Sequence, residues 1–259
     1  MRRAEGTVRC RFTRATFTIP AVNQSIDTTA APGRALVIGA HGAIGAAFVE
    51  QLRSNARYGA VLALSRQSQP AIDFSDEASI AAAAQALQAQ APGTAFALIL
   101  VATGTLHGPQ GMPEKRLADL NYAALEQVFR INTFGPALLL RHFAPMLDKQ
   151  HGVMALLSAK VGSIGDNRLG GWYAYRASKA ALNMLVKTAA IELRRTHPGA
   201  CITALHPGTV ASALSRPFRG DEIGVAPALA AQRLLGVVDG LKAEDSGGFF
   251  SWDGQALPW

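Results

Sequence analysis

Tyr175 and Lys179 stand four residues apart in Tyr173-Ala174-Tyr175-Arg176-Ala177-Ser178-Lys179-Ala180-Ala181-Leu182-Asn183. On a helix that spacing puts both side chains on one face. A phenol titrates near 10, too high to serve efficiently at neutral pH. An ammonium beside it stabilises the phenolate and lowers that value, which suits the pair to proton exchange with a carbonyl or an alcohol. An ordinary surface Tyr–Lys pair has the same spacing, so spacing alone does not decide.

A second motif, Leu36-Val37-Ile38-Gly39-Ala40-His41-Gly42-Ala43-Ile44-Gly45, falls between the first strand and the first helix expected in the chain. Gly39 permits a tight turn, Gly42 lets the backbone approach a pyrophosphate, and Gly45 allows helix and strand to pack closely. His41, Ala43 and Ile44 complete a turn whose free N–H groups, at a helix N-terminus, suit phosphate. The next strand ends in Leu64-Ser65-Arg66, where an acidic residue would hydrogen-bond the ribose 2′-OH of NAD. None is present. The hydroxyl of Ser65 and the guanidinium of Arg66 suit a 2′-phosphate, so NADP is expected ahead of NAD. Asp73, after another short apolar stretch, has two readings: it orients the adenine amino group, or it caps the following helix.

These motifs, with Asn132 in Arg130-Ile131-Asn132-Thr133-Phe134-Gly135-Pro136 and with Pro207-Gly208-Thr209-Val210, follow the order found in short-chain dehydrogenases/reductases. Residues 34–259 resemble that family along nearly their whole length. Within it, residues 162–183 and the ending Phe249-Phe250-Ser251-Trp252-Asp253-Gly254 resemble the branch of sniffer-type carbonyl reductases and C-factor proteins. The resemblance implies a general acid in Tyr175 and a lysine, Lys179, that bonds the nicotinamide ribose and lowers the tyrosine pKa. It implies a water held by Asn132, and contacts to the carboxamide from Pro207, Gly208 and Val210, with Ser212 nearby. The activity it implies is NADP-dependent interconversion of carbonyl and alcohol, reducing small aldehydes or ketones. A cofactor-binding regulator with little turnover is the alternative.

Three departures bear on this reading. Ile38 replaces the usual threonine before the first glycine. The family's Asn-Asn-Ala-Gly reads Val101-Ala102-Thr103-Gly104, which alters how Thr103 and Gly104 support the cofactor. The family's Ser-Ser-x-x-Gly reads Ser158-Ala159-Lys160-Val161-Gly162, and Ala159 occupies the place of the serine that bonds the substrate carbonyl. Ser158 is the candidate to replace it; Ser163 is the other nearby hydroxyl. His206, next to Pro207, could face the cofactor. The connection after Ser212 is short, which implies an open pocket.

The elements that must position these residues are legible as alternation. Apolar runs at 35–39, 61–64, 95–102, 153–158, 201–206 and 249–252 alternate with helix-like stretches at 43–54, 76–90, 117–148, 173–196 and 226–241. That pattern marks a parallel sheet covered on both faces. With the resemblance it gives a single doubly wound α/β domain of Rossmann type at 34–259, with a mostly parallel seven-stranded sheet. The helix at 173–196 is apolar nearly all round, so it needs partners on more than one side. A neighbouring helix or a second subunit would serve; a homo-dimer or homo-tetramer is expected.

The 259 residues are 49% hydrophobic and 17% charged, a globular composition. The longest apolar run, Ala95 to Ala102, falls far short of the roughly 20 residues a membrane span needs. Cys10 and Cys201 make no disulfide framework, and no Cys/His cluster has metal-ligand spacing. A cytoplasmic, metal-free protein is expected. The net charge is +7, but six arginines lie in residues 1–34 against two acids. The excess therefore belongs largely to an Arg- and Thr-rich N-terminal extension, residues 1–33, read as peripheral to the domain; neither nucleic acid nor membrane is an expected partner.

Overall fold

A computed structural model describes residues 33–259 apart from Gln110. Residues 1–32, which include Cys10 and all of the expected N-terminal extension but Gly33, lie outside the described residues; Gly33 itself opens β1. Six strands form one sheet: β1 (Gly33–Ile38), β2 (Tyr58–Leu64), β3 (Leu98–Val101), β4 (Val153–Leu157), β5 (Cys201–His206) and β6 (Phe249–Ser251). Their order is β2-β1-β3-β4-β5-β6, and every pair is parallel.

The sheet has six strands where seven were expected. The missing one would follow β2, at Ala71–Phe74. There Ser65 O accepts the N–H of Ile72 at 2.9 Å, while Ser68 Oγ donates to Ser65 O and to Pro70 O. These bonds close the stretch into a loop, and Pro70 has no N–H to donate to a ladder.

Side-chain alternation along the strands feeds two cores. Leu36, Ile38, Ile99, Val101, Met154 and Leu156 face one side, which is covered by α2 (Glu77–Gln90), α4 (Gly135–Phe143) and α5 (Tyr173–Leu193). Val37, Leu98, Leu100, Ala155, Leu157 and Leu205 face the other, against α1 (Ala43–Arg53) and α7 (Pro227–Gly240). Such runs, buried on both faces, are what made the strands readable as continuous apolar segments.

Local chemistry fixes the helix ends. Asp76 caps α2 by accepting the N–H of Ala78, and Pro227 opens α7 at a position where no N–H is needed. Asn121 caps α3 (Tyr122–Phe129) through the N–H of Ala124. Between α3 and α4 the chain makes a π turn, Arg130–Phe134, in which the N–H of Gly135 reaches back five residues to Arg130 O. The short α6 (Gly220–Ile223) lies between β5 and α7. On α5, Met184 and Ile191 remain more than half exposed, so that helix is not covered all round by the described residues of its own chain.

Candidate active site

The residues with chemical potential gather at the carboxyl edge of the sheet, where each parallel strand hands over to a loop. This is the expected location for a ligand crevice in a doubly wound fold.

The turn after β1 is built on glycine. Gly39 has φ +89°, and a Cβ there would lie 2.8 Å from Ala102 O. A Cβ on Gly45 would overlap Gly39 O, so the first turn of α1 can rest on the loop only because both residues lack side chains. Gly42, the N-cap, offers no side-chain bond to the helix, and α1 has no acid in its first turn. The N–H groups around His41, Ala43 and Ile44 therefore open a cradle suited to an anion. At the end of β2, Ser65 Oγ accepts the N–H of Gln67 at 3.0 Å and donates to no described residue. Arg66 is exposed and forms no ion pair with a described residue. Both are available to a phosphate. Asp73 Oδ1 accepts the N–H of Ser75, and the cap of α2 is Asp76, which overturns the capping reading of Asp73.

After β3, Thr103 Oγ1 is buried without a protein partner. Gly104 is exposed, and a Cβ there would come within 3.5 Å of Lys179 Nζ and 3.6 Å of Asn132 Oδ1. Glycine thus leaves the surface above both groups open. Asn132 itself, fully buried in the π turn, accepts the N–H of Thr105 at 2.8 Å. Its amide donates to Thr105 O at 2.8 Å and to Ser178 Oγ at 3.1 Å. Ser178 Oγ donates in turn to Tyr175 O. The asparagine therefore joins the β3 loop to α5. Both amide hydrogens are engaged, which leaves a lone pair on Oδ1 as its one side-chain site for a water.

Tyr175 and Lys179 lie on the inner face of α5, 9% and 3% exposed. Lys179 Nζ donates to Leu157 O at 2.9 Å and sits 5.9 Å from the Tyr175 ring centroid. Burial pushes the phenol up to about 12 and the ammonium down to about 8. Burial is the cause in both groups, since each charged form loses its hydration, and the phenol is raised where the pairing led one to expect it lowered.

Ser158 is buried, and its hydroxyl donates to Asn183 Oδ1 at 2.6 Å. It is Ala159 that packs with Tyr175 and Leu106, joined by Val161, Trp172, Leu214 and Phe218. Ser163 is buried as well, and its Oγ accepts the N–H of Asp166. The chain after β5 turns at Pro207 and Gly208 (φ +73°), buries Val210, and places Ser212 Oγ 3.2 Å from Ser215 Oγ. His206, whose Nδ1 is buried and unpartnered, is held down to about 4 by burial and by Lys160, so it is neutral at pH 7.

The segment after Ser212 is short, and it packs toward Tyr175. Its Phe218 meets Trp172 at 4.9 Å, Trp172 meets Tyr175 at 6.3 Å, and His107 Nε2 reaches Leu214 O at 3.2 Å. His107 carries no metal spacing in the sequence and packs here against Phe218, whereas the contacts of Phe218 and Glu114 span long separations and carry no periodic signal. Among the described residues no His/Cys/Asp/Glu group could hold a metal ion, and no helix is long and apolar enough to cross a membrane.

A buried tyrosine and lysine, an asparagine tied to the adjacent loop and a glycine-built anion cradle share one edge of one sheet. That arrangement can deliver a proton to a group bound beside a nucleotide. Comparison with known proteins agrees with it. The family profile described as short chain dehydrogenase matches residues 34–223. The C-signal protein of Myxococcus xanthus is 38% identical over 147 residues, covering 55% of this chain and 83% of that one. The 1-hydroxy-2-glutathionyl-2-methyl-3-butene dehydrogenase of Rhodococcus sp. (strain AD45) is 36% identical over 143 residues, 55% of this chain. There the match spans 62% of the relative, less than two thirds of its length. Among solved structures, NADPH-bound carbonyl reductase from chicken fatty liver superposes with a TM-score of 0.76 at 26% identity, over 88% of this chain and 94% of that one. Carbonyl reductase Sniffer of D. melanogaster, at 19% identity and a TM-score of 0.77 over 88% and 100%, shares the fold. On this sequence, fold and site, the chain belongs to the short-chain dehydrogenase family of oxidoreductases.

Proposed function

We propose that this protein is an NADP-dependent oxidoreductase that interconverts a carbonyl and an alcohol and reduces small aldehydes or ketones. The observation that carries the proposal is the buried Tyr175–Lys179 pair, set beneath an apolar pocket and beside the glycine-built cradle. The cradle, the uncapped start of α1 and the open surface over Gly104 fit a dinucleotide. Gly39, His41, Gly42, Ala43, Ile44 and Gly45 would hold its pyrophosphate; Ser65 and Arg66 its 2′-phosphate; Asp73, Thr103 and Gly104 the adenosine side and the loop beneath; Pro207, Gly208, Val210 and Ser212 the carboxamide. When bound, the nicotinamide supplies the hydride.

The chain's own residues supply the rest. Tyr175 gives its phenol proton to the carbonyl oxygen as the alcohol forms. Lys179, one donor already on Leu157 O, bonds the ribose and places positive charge where the phenolate develops. Asn132 fixes the β3 loop against α5, and Oδ1 retains an acceptor site for a water leading to the lysine. The proposal assigns this chemistry to residues 34–259, with residues 1–33 outside it, in a homo-oligomer in the cytoplasm. The half-exposed Met184 and Ile191 support self-association.

A carbonyl panel followed by absorbance of the reduced nicotinamide tests the activity. Tyr175→Phe should remove most turnover, about 10²–10⁴-fold, with cofactor affinity nearly intact. Arg66→Asp should weaken NADPH far more than NADH. Wild-type rates in the first variant, or an unchanged cofactor preference in the second, would refute the corresponding assignment. The second reading, a cofactor-binding regulator, is favoured by one observation: Ala159 brings no hydroxyl to Tyr175.

A further inference from the structure

Glu114 is a carboxylate 6% exposed, and no ion pair joins it to a described residue. A buried acid of this kind needs hydrogen-bond donors to be tolerated. It finds one at the start of α5. Its Oε2 accepts the N–H of Ala174 at 3.2 Å, and its backbone oxygen accepts the N–H of Trp172 at 2.5 Å. The helix has no cap of its own. Trp172, the N-cap residue, is in the left-handed region at φ 53° and offers no side-chain bond, and no acid lies in the first turn.

That first turn is Tyr173-Ala174-Tyr175. The donor that Glu114 holds is thus one residue before the phenol. A small cavity of about 20 Å³, room for one water, is lined by Glu114, Ala174 and Tyr175 together with Leu106, His107 and Gln127. The negative charge also opposes the positive end of the α5 dipole, where it is favourable. The acid comes from the loop after β3, sixty residues earlier in the chain.

We propose that Glu114 is a positioning residue for Tyr175: as a cap supplied from the β3 loop, it holds the first turn of α5 and thereby aims the phenol at the substrate. This rests on the role proposed above for Tyr175. The geometry demands an acceptor at Oε2 more than a charge, so the two properties separate by substitution. A misplacement of about 1 Å at a reacting group can cost on the order of 10²-fold in rate.

The test compares Glu114→Ala and Glu114→Gln with wild type and with Tyr175→Phe. In steady-state kinetics on an accepted carbonyl, Glu114→Ala should lower kcat by about 10- to 100-fold, with KM for NADPH within about twofold. Glu114→Gln, which keeps an acceptor for Ala174 N–H, should recover most of that loss. Independently of turnover, the tyrosinate absorbance titration of Tyr175 is read as the difference from Tyr175→Phe. Loss of the carboxylate lowers that transition in both variants, and the loosened first turn, by admitting water to the phenol, should lower it by about one unit more in Glu114→Ala than in Glu114→Gln. Wild-type kcat in Glu114→Ala would overturn the proposal, as would equal losses in both variants accompanied by loss of NADPH binding. Should wild type turn over no carbonyl, the enzymatic reading fails by itself and the titration decides the role of Glu114. A transition that is the same in Glu114→Ala and Glu114→Gln then overturns it.

Discussion

Ser158 and Ala159 are adjacent, yet they belong to different surroundings. The hydroxyl of Ser158 donates to Asn183, whereas Ala159 packs in one buried cluster with Tyr175 and Leu106. A polarising donor is useful only where a carbonyl oxygen can meet it. Ser158→Ala should therefore change turnover by less than about threefold, and Ala159→Ser should raise it from a low base, within the range for a transition-state donor. Both variants measured on one substrate decide the matter: a large loss in Ser158→Ala with no gain in Ala159→Ser would show that Ser158 has taken over the role. Lys179 carries a second expectation. Its folded-state pKa, about 8, lies below the ordinary value of 10.5, so the unfolded chain binds that proton first as pH falls. Stability from this group is complete above about 10.5 and is lost as pH falls through 8, by on the order of 3 kcal/mol. Tyr175 acts in the opposite sense above its ordinary 10, where the raised phenol makes stability decline toward 12. Lys179→Met should accordingly melt above wild type at pH 7.5 while losing activity, and the gap should narrow at pH 9.5. A gap of equal size at both pH values would contradict this.

At the scale of elements, the glycine turn and the helix it feeds form one unit. A methyl at Gly45 would overlap Gly39 O, which is backbone and has nowhere to move without opening the turn. Gly45→Ala should cost about 1–3 kcal/mol of stability and weaken nucleotide binding together, readable by melting and by NADPH titration. Retention of both would mean that the turn relaxes freely. This turn was legible in the residues because glycine spacing encodes backbone geometry directly. The strands were legible because burial on both faces leaves uninterrupted apolar runs. The absent seventh strand was not, since Ala71–Phe74 has an apolar texture and only the Ser65–Ile72 closure decides against a ladder. The Tyr175–Lys179 pair announced itself by a helical interval. Glu114, His107 and Phe218 act across tens to more than a hundred residues, and no local pattern records such distances.

The described residues, from Gly33 onward, form one compact unit. Among the described residues, the N–H of Gly33 donates to Arg57 O and the Arg34 side chain donates to Thr94 Oγ1. Removing residues 1–31 should leave the melting temperature within about 2 °C and NADPH affinity within about twofold. A large fall in melting temperature would assign the extension a packing role, with Phe12, Phe17 and Ile19 as its anchors. The two cores lie on opposite faces of the sheet, and the candidate site lies along the carboxyl edge that both faces share.

The π turn between α3 and α4 keeps two tasks apart. A widened turn takes in one residue more than an α-helix would, and the surplus is absorbed on the spot. The faces on either side keep their phase, so Leu139, Leu140 and Phe143 still point into the core. Asn132, fully buried within that turn, makes the junction to Thr105 and Ser178. The link between the β3 loop and α5 is thus made inside the widened turn, apart from the residues by which α4 packs on the core.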